Sequence, residues 1–237
     1  MTEPQDPLAR REQLRSALST VQARIARACD DAGRRPEEVT LVVVTKTYPV
    51  TDIHHLAALG VVDMGEARVG EGADKVAQCA HLPLRWHAIG QVQTKKAGAL
   101  GRWADVVHSA DRRRLVASLG RGALASDRCV EVLVQVSLDG DPGRGGAPLR
   151  EVAALADTIA STPGLRLRGV MAIAPVGVEP AQAFSELAAV AQRVRSDHPQ
   201  AQVVSAGMSA DLEEAVACGA THLRVGTAVL GSRPPLR

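Results

Sequence analysis

The chain has almost no aromatic surface. Of its 237 residues only Trp86, Trp103, Tyr48 and Phe184 carry large rings, 2% of the total. Base stacking needs such platforms, so single-stranded nucleic acid is a poor ligand class. An excess of one charge is also missing. The 28 Lys and Arg residues face 26 Asp and Glu, a formal net charge of +2. A dedicated nucleic-acid binder usually carries a strongly basic face, which argues against that class a second time. No apolar run reaches the roughly 18 residues of a membrane span. The opening MTEPQDPLARREQ lacks the apolar core of a secretory signal, so a cytoplasmic location is expected. The four cysteines, Cys29, Cys79, Cys129 and Cys218, form no CxxC and no Cys/His cluster at zinc spacing. Reduced, mostly buried thiols are expected, with no structural metal.

What is present suits one globular domain. Hydrophobic residues make up 46% and charged residues 23%, and a single α/β barrel is commonly about 250 residues long. Residues 1–7 hold two prolines and read as a flexible N-terminus, with one domain over 8–237. From Leu8 to Ala32, Leu14, Leu18, Val21, Ile25 and Ala28 recur at helical spacing, and Gly33 and Pro36 stop the pattern.

Strand and helix signals then alternate. Strands are expected at 39–45, 61–65, 85–90, 105–109, 129–138, 165–172, 202–207 and 221–226, the fifth being the longest. Helices are expected at 52–59, 68–80, 94–103, 111–122, 147–161, 180–197 and 210–218. Such alternation implies parallel strands joined by crossover helices. Eight units in this length favour a closed (β/α)8 TIM barrel with an extra N-terminal helix. The open dinucleotide-binding sheet is the rival, but no G-x-G-x-x-G follows the first strand.

Active sites of such barrels lie at the C-terminal ends of the strands. Lys46 ends a β-branched strand beside the barrel interior, where lost solvation favours the neutral amine and hence Schiff-base chemistry. The plain alternative is a solvated strand-end lysine. SAGMSAD (205–211) and RVGTAVLG (224–231) follow the last two full strands and are rich in glycine and hydroxyls. Loops there often bind phosphate, so Ser209, Gly226 and Thr227 are candidates for that cup. Ser209 reads equally as a helix cap. Arg224 faces the mouth as a donor to a ring nitrogen or phosphate, or joins an ion pair. His87, at a strand end, suits packing and ligand contact alike. The loop DGDPGRGG (139–146) is a lid or a long turn.

TKTYP around Lys46, GEARVGEGADK (65–75), WHAIGQVQTKK (86–96), LRLRGVMAI (165–173) and the block 205–231 together resemble the pyridoxal phosphate homeostasis family. The resemblance covers nearly the whole chain after residue 38. It implies a fold-type III barrel like the N-terminal domain of alanine racemase. It also implies that the chain binds pyridoxal 5′-phosphate (PLP) and serves vitamin B6 and amino-acid homeostasis without an established reaction. Carried over by position, Lys46 is the PLP lysine, holding the cofactor as an internal aldimine. Arg224 is the arginine near the pyridine nitrogen, and Ser209, Gly226 and Thr227 take the phosphate. Met208, Met171, His87 and Gly90 line the pocket. The sequence departs from the family at Ala67 and Lys95, where asparagines are usual, at Ser137 in place of a strand-five asparagine, and at Arg144 in place of a loop lysine. The resemblance further implies a monomer, with PLP-dependent apo-enzymes as partners. The alternatives are a weak amino-acid racemase and a lysine Schiff-base aldolase-like barrel. The other lysines, Lys75, Lys95 and Lys96, fall on expected outer helices.

Overall fold

A computed structural model describes residues 7–141 and 143–231. The expected flexible segment therefore lies, but for Pro7, outside the described residues. Helix α1 begins at Pro7 and runs to Asp31, burying Leu14, Leu18, Val21, Ile25, Ala28 and Cys29 along one stripe. The remaining chain closes a barrel of eight parallel strands, in sequence order around the ring. These are β1 (Thr40–Val44), β2 (Asp63–Glu66), β3 (Arg85–Ala88), β4 (Val106–Ala110), β5 (Val130–Gln135), β6 (Leu165–Met171), β7 (Val203–Ser205) and β8 (His222–Val225). Between them lie α2 (Val50–Ala58), α3 (Val69–Gln78), α4 (Thr94–Leu100), α5 (Arg113–Leu124), α6 (Val152–Ser161), α7 (Pro180–Asp197) and α8 (Leu212–Ala217). After β8 comes α9, a single turn at Thr227–Leu230.

The alternation is as expected, with three local differences. The third strand ends at Ala88, so Gly90 lies in the following loop. The fifth strand is not the longest: β5 has six residues and β6 has seven. Beyond Gln135 the chain leaves the sheet, with Val136 making only an isolated bridge to Ala147. The register between β5 and β6 also slips by one, Val132 opposing Leu167 and Leu133 opposing Gly169. That slip is a bulge, which lengthens β6 by the extra residue Arg168. The turn α9 was not legible as a separate element.

Register sorts the strand residues by face, because laterally paired residues of parallel strands point the same way. Val42 pairs with Arg224, Gly65 with His87, His87 with Val106, Gln135 with Met171, Met171 with Ser205, and Ser205 with His222. A side chain at Gly65 would meet Val42 and Val44, which places this whole set inside the barrel. The opposite face holds Val43, Val107, Val132, Val134, Val170, Val204, Leu223 and Val225, all packed under the helices. That outer layer is mostly apolar, with Glu66 and Ser109 its buried polar members. The inner one is not: His87, His108, Gln135, Ser205 and Arg224 are all buried there.

Candidate functional site

Lys46 lies two residues beyond β1, in the turn that leads to α2. The loop carrying it is held from outside. The Thr45 hydroxyl donates to Glu66 Oε1 at 2.6 Å. Lys75 Nζ donates to the Thr45 carbonyl at 2.7 Å, and to Glu66 and Glu71 at 2.8 Å each. The Thr47 amide donates to Glu71 at 2.6 Å, and Thr47 sits at φ 71°, an unusual value for a β-branched residue. These bonds fix the backbone on either side of Lys46. Burial pushes the Glu66 carboxyl up, against the hydrogen bonds from Lys75 and Thr45. Burial works the same way at Glu71, but the bonds from Lys75 and the Thr47 amide prevail and hold it below its usual range.

Lys75 lies on an outer helix, as expected, and its side chain is nonetheless buried, 5% exposed. Helix α3 packs Gly72 and Lys75 against the barrel end, and two carboxylates make a buried ammonium tolerable. The sequence signal was Glu71, one turn before Lys75, together with Glu66 at the strand end.

The loops after β7 and β8 meet each other. Thr227 Oγ1 lies 3.2 Å from Ser209 Oγ, and the Ala228 amide donates to the same hydroxyl at 3.3 Å. Ser209 is not the cap of α8; that position belongs to Asp211, whose Oδ1 accepts from the Met208 amide at 2.6 Å. Gly226 stands against the Val44 carbonyl, because β8 is the direct neighbour of β1. Closure of the barrel puts the loop after β8 next to the loop after β1 that carries Lys46. Arg24 of α1 ties this loop down, donating to the Ser209 carbonyl at 3.1 Å and to both oxygens of Glu213 at 2.7 and 2.8 Å. Neither Arg24 nor the Ala228 amide was singled out from the sequence.

Arg224 of β8 is 5% exposed. It donates from Nη1 to Ser205 Oγ at 2.6 Å and from Nη2 to the Ala172 carbonyl at 2.9 Å. Burial pulls its pKa down to about 10, with the charge of Asp211 opposing the shift. Met171 is buried at the end of β6, and Met208 is 39% exposed on the rim. His87 is fully buried, with its Nδ1 on His108 and its Nε2 on Asp63. It stands below the mouth. Gly90 belongs to the mouth, where a side chain would come within 2.3 Å of the Ala67 carbonyl. Only glycine lets the loops after β2 and β3 approach this closely. The 139–146 loop is fastened rather than free: Arg144 donates to the carbonyls of Ile173 and Ala174 and pairs with Asp139. Among the described residues no cluster of three or more His, Cys, Asp or Glu suits a metal ion, and all four cysteines are free.

A closed parallel barrel with a lysine after β1, an interior arginine on β8 and a hydroxyl-lined pair of final loops defines a class of scaffold. The model of the alanine racemase N-terminal domain family matches residues 17–234. The chain belongs to that family, and within it to the pyridoxal phosphate homeostasis proteins. It is 43% identical over 222 residues to the protein of that name from Corynebacterium glutamicum, covering 90% of this chain and 99% of the relative. Its counterpart in Escherichia coli K12 is 35% identical over 222 residues, covering 91% and 95%. Among solved structures it is similar to PipY of Synechococcus elongatus with PLP bound. The TM-score is 0.80 at 30% identity, covering 92% of this chain and all of PipY. Alanine racemase of C. glutamicum shares the fold, with TM-score 0.63 and 15% identity, but this chain covers only 60% of it.

Proposed function

We propose that the chain binds PLP at the mouth of the barrel and serves PLP homeostasis, carrying the cofactor rather than turning over a substrate. The observation that carries this reading is that neighbouring strands bear three unlike groups: Lys46 just past β1, the buried Arg224 on β8, and the Ser209, Thr227 and Ala228 donors of the loops after β7 and β8. PLP has one feature for each of them. Its phosphate suits Ser209, Gly226, Thr227 and the Ala228 amide. Its ring nitrogen suits Arg224. When bound, the cofactor supplies an aldehyde, and Lys46 is the amine held in place to condense with it.

The same residues favour carriage over racemisation. Moving a proton between two faces of a carbon needs an acid/base group on each face. The one tyrosine, Tyr48, is buried and donates its hydroxyl to the Gly231 carbonyl at 2.6 Å. A cationic arginine at the ring nitrogen also keeps that nitrogen unprotonated, weakening the ring as an electron sink. The relatives are likewise named for homeostasis and not for a reaction. In this reading the protein acts as a cytoplasmic monomer and hands PLP to apo-enzymes. Among the described residues no helix is long and apolar enough to cross a membrane.

The test is an absorbance spectrum of the purified protein with PLP, before and after borohydride reduction, followed by peptide mapping. Visible absorbance and a single modified residue at Lys46 are expected, and Lys46→Ala should abolish both. Fixation of PLP on Lys75, Lys95 or Lys96 in the unmutated protein would overturn the assignment.

A further inference from the structure

The barrel interior holds a continuous polar chain that none of the site contacts requires. From Arg224 Nη1 it runs 2.6 Å to Ser205 Oγ. It continues 2.9 Å to His108 Nδ1, then from His108 Nε2 2.9 Å to His87 Nδ1. It ends with His87 Nε2 at 2.8 Å from Asp63 Oδ1. Five strands contribute one residue each: β8, β7, β4, β3 and β2. The two imidazoles are fully buried, Ser205 likewise, while the Asp63 side chain is 20% exposed at the N-terminal end of β2. The chain thus joins the cation near the mouth to a carboxylate at the opposite end of the barrel.

The direction of every bond follows from its ends. Arginine only donates, so Ser205 Oγ accepts from Arg224. The serine has one proton, and its acceptor is His108 Nδ1. His108 then carries its proton on Nε2 and gives it to His87 Nδ1. His87 in turn carries its proton on Nε2 and gives it to Asp63. The reverse order would require a protonated Asp63 and would leave the Ser205 proton without its acceptor. One arrangement alone satisfies all four links with an ionised aspartate and two neutral rings. Burial, and the neighbouring His87, hold His108 well below the ordinary histidine range, which keeps that ring neutral.

We propose that Asp63 is a remote positioning residue for Arg224: it fixes the tautomers of His87 and His108 and, through Ser205, aims the guanidinium that meets the ligand ring. The charge that acts on Arg224 is that of Asp211; what the neutral relay supplies is a fixed acceptor, the Ser205 oxygen, whose proton is committed to His108. The part played toward the ligand rests on the PLP reading above; the chain itself does not.

The experiment is long-range 1H–15N correlation of the imidazoles in ligand-free protein near neutral pH, which reports the protonated nitrogen of each ring. In the unmutated protein His87 and His108 should both be neutral and protonated on Nε2. A His108 protonated on Nδ1, or on both nitrogens, overturns the proposal before any variant is made. Asp63→Ala should turn His108, which Asp63 does not touch, into a mixture of tautomers. Asp63→Asn, the same size and still able to accept through Oδ1, should restore the single form. An unchanged His108 in Asp63→Ala overturns the relay. In titrations Asp63→Ala should weaken PLP binding about tenfold, the scale of one hydrogen bond, and Asp63→Asn should recover most of it. Unmutated protein that shows these tautomers but binds no PLP would count against the proposed function and leave the relay standing.

Discussion

Lys46 and Lys75 meet at the same loop, and the fold treats them oppositely. Lys75 spends its donors on the Thr45 carbonyl, Glu66 and Glu71, so its ammonium is a structural cross-link. Lys46 is the residue after Thr45, and in the proposed reading its amine is kept for the ligand. This distinction was not legible in the sequence, because helical spacing says which residues share a face but not what the face meets. The buried histidines were hidden for a similar reason. His108 sits in VVHSA, where every residue is buried, and a polar residue in such a strand was the available signal. His222 gives a pH prediction. Burial first, then the neighbouring His87, lower its pKa from 6.5 to about 4. The unfolded chain therefore binds a proton that the folded chain refuses between those values. Stability is full above about 6.5, falls as pH drops, and has lost that contribution below about 4. The loss is ~3 kcal/mol for this residue. Denaturant titrations across that range should show a shallower slope in His222→Gln; equal slopes would remove His222 as a source.

At the scale of elements, the strands were the most legible feature. Their β-branched runs are bounded by glycine and helical segments, and each lies within two or three residues of its expected place. The ends were less legible, because what stops β3 at Ala88 or β5 at Gln135 is the loop each meets, not its own sequence. Helix packing was opaque for the same reason. Helices α4 and α5 cross through glycines: a side chain at Gly122 would stand 2.0 Å from the Gly98 carbonyl, and one at Gly101 2.4 Å from the Ala123 amide. Such backbone-to-backbone contact leaves nothing flexible to yield. Gly122→Ala should therefore cost about 3 kcal/mol or more, a fall of roughly 10 °C in Tm. Gly70→Ala is the control, since its position in α3 opens onto empty space. That variant should be neutral or slightly stabilising. Similar losses in the two variants would show that the contact is not what matters.

Across the whole molecule, α1 acts as a strap. Arg10 bonds Asp52 of α2 and the Leu230 carbonyl of α9, Arg24 reaches the Ser209 loop and Glu213, and Arg34, just past the end of the helix, bonds the carbonyls of Val216 and Ala220. The apolar stripe of this helix was plain in the sequence, but its reach to the proposed phosphate cup was not, since the partners lie so far along the chain. Arg24→Ala should loosen the Ser209 loop while leaving the core intact. PLP affinity is expected to fall several-fold, and affinity for pyridoxal, which lacks the phosphate, to stay the same. Unmutated protein should bind pyridoxal well over tenfold more weakly than PLP, because charge-assisted hydrogen bonds contribute roughly 1.5–3 kcal/mol each. Equal affinities for the two would move the phosphate elsewhere.

The seam between β1 and β8 also has a consequence for synthesis. Arg10 and the Leu230 carbonyl are 220 residues apart in sequence, and Arg24 and the Ser209 carbonyl 185. A chain emerging from the ribosome exposes Lys46 early and the loops after β7 and β8 last. The ring of strands cannot close until the eighth strand arrives. Contacts this distant are slow to form. In the proposed reading, loading with cofactor accordingly belongs after release.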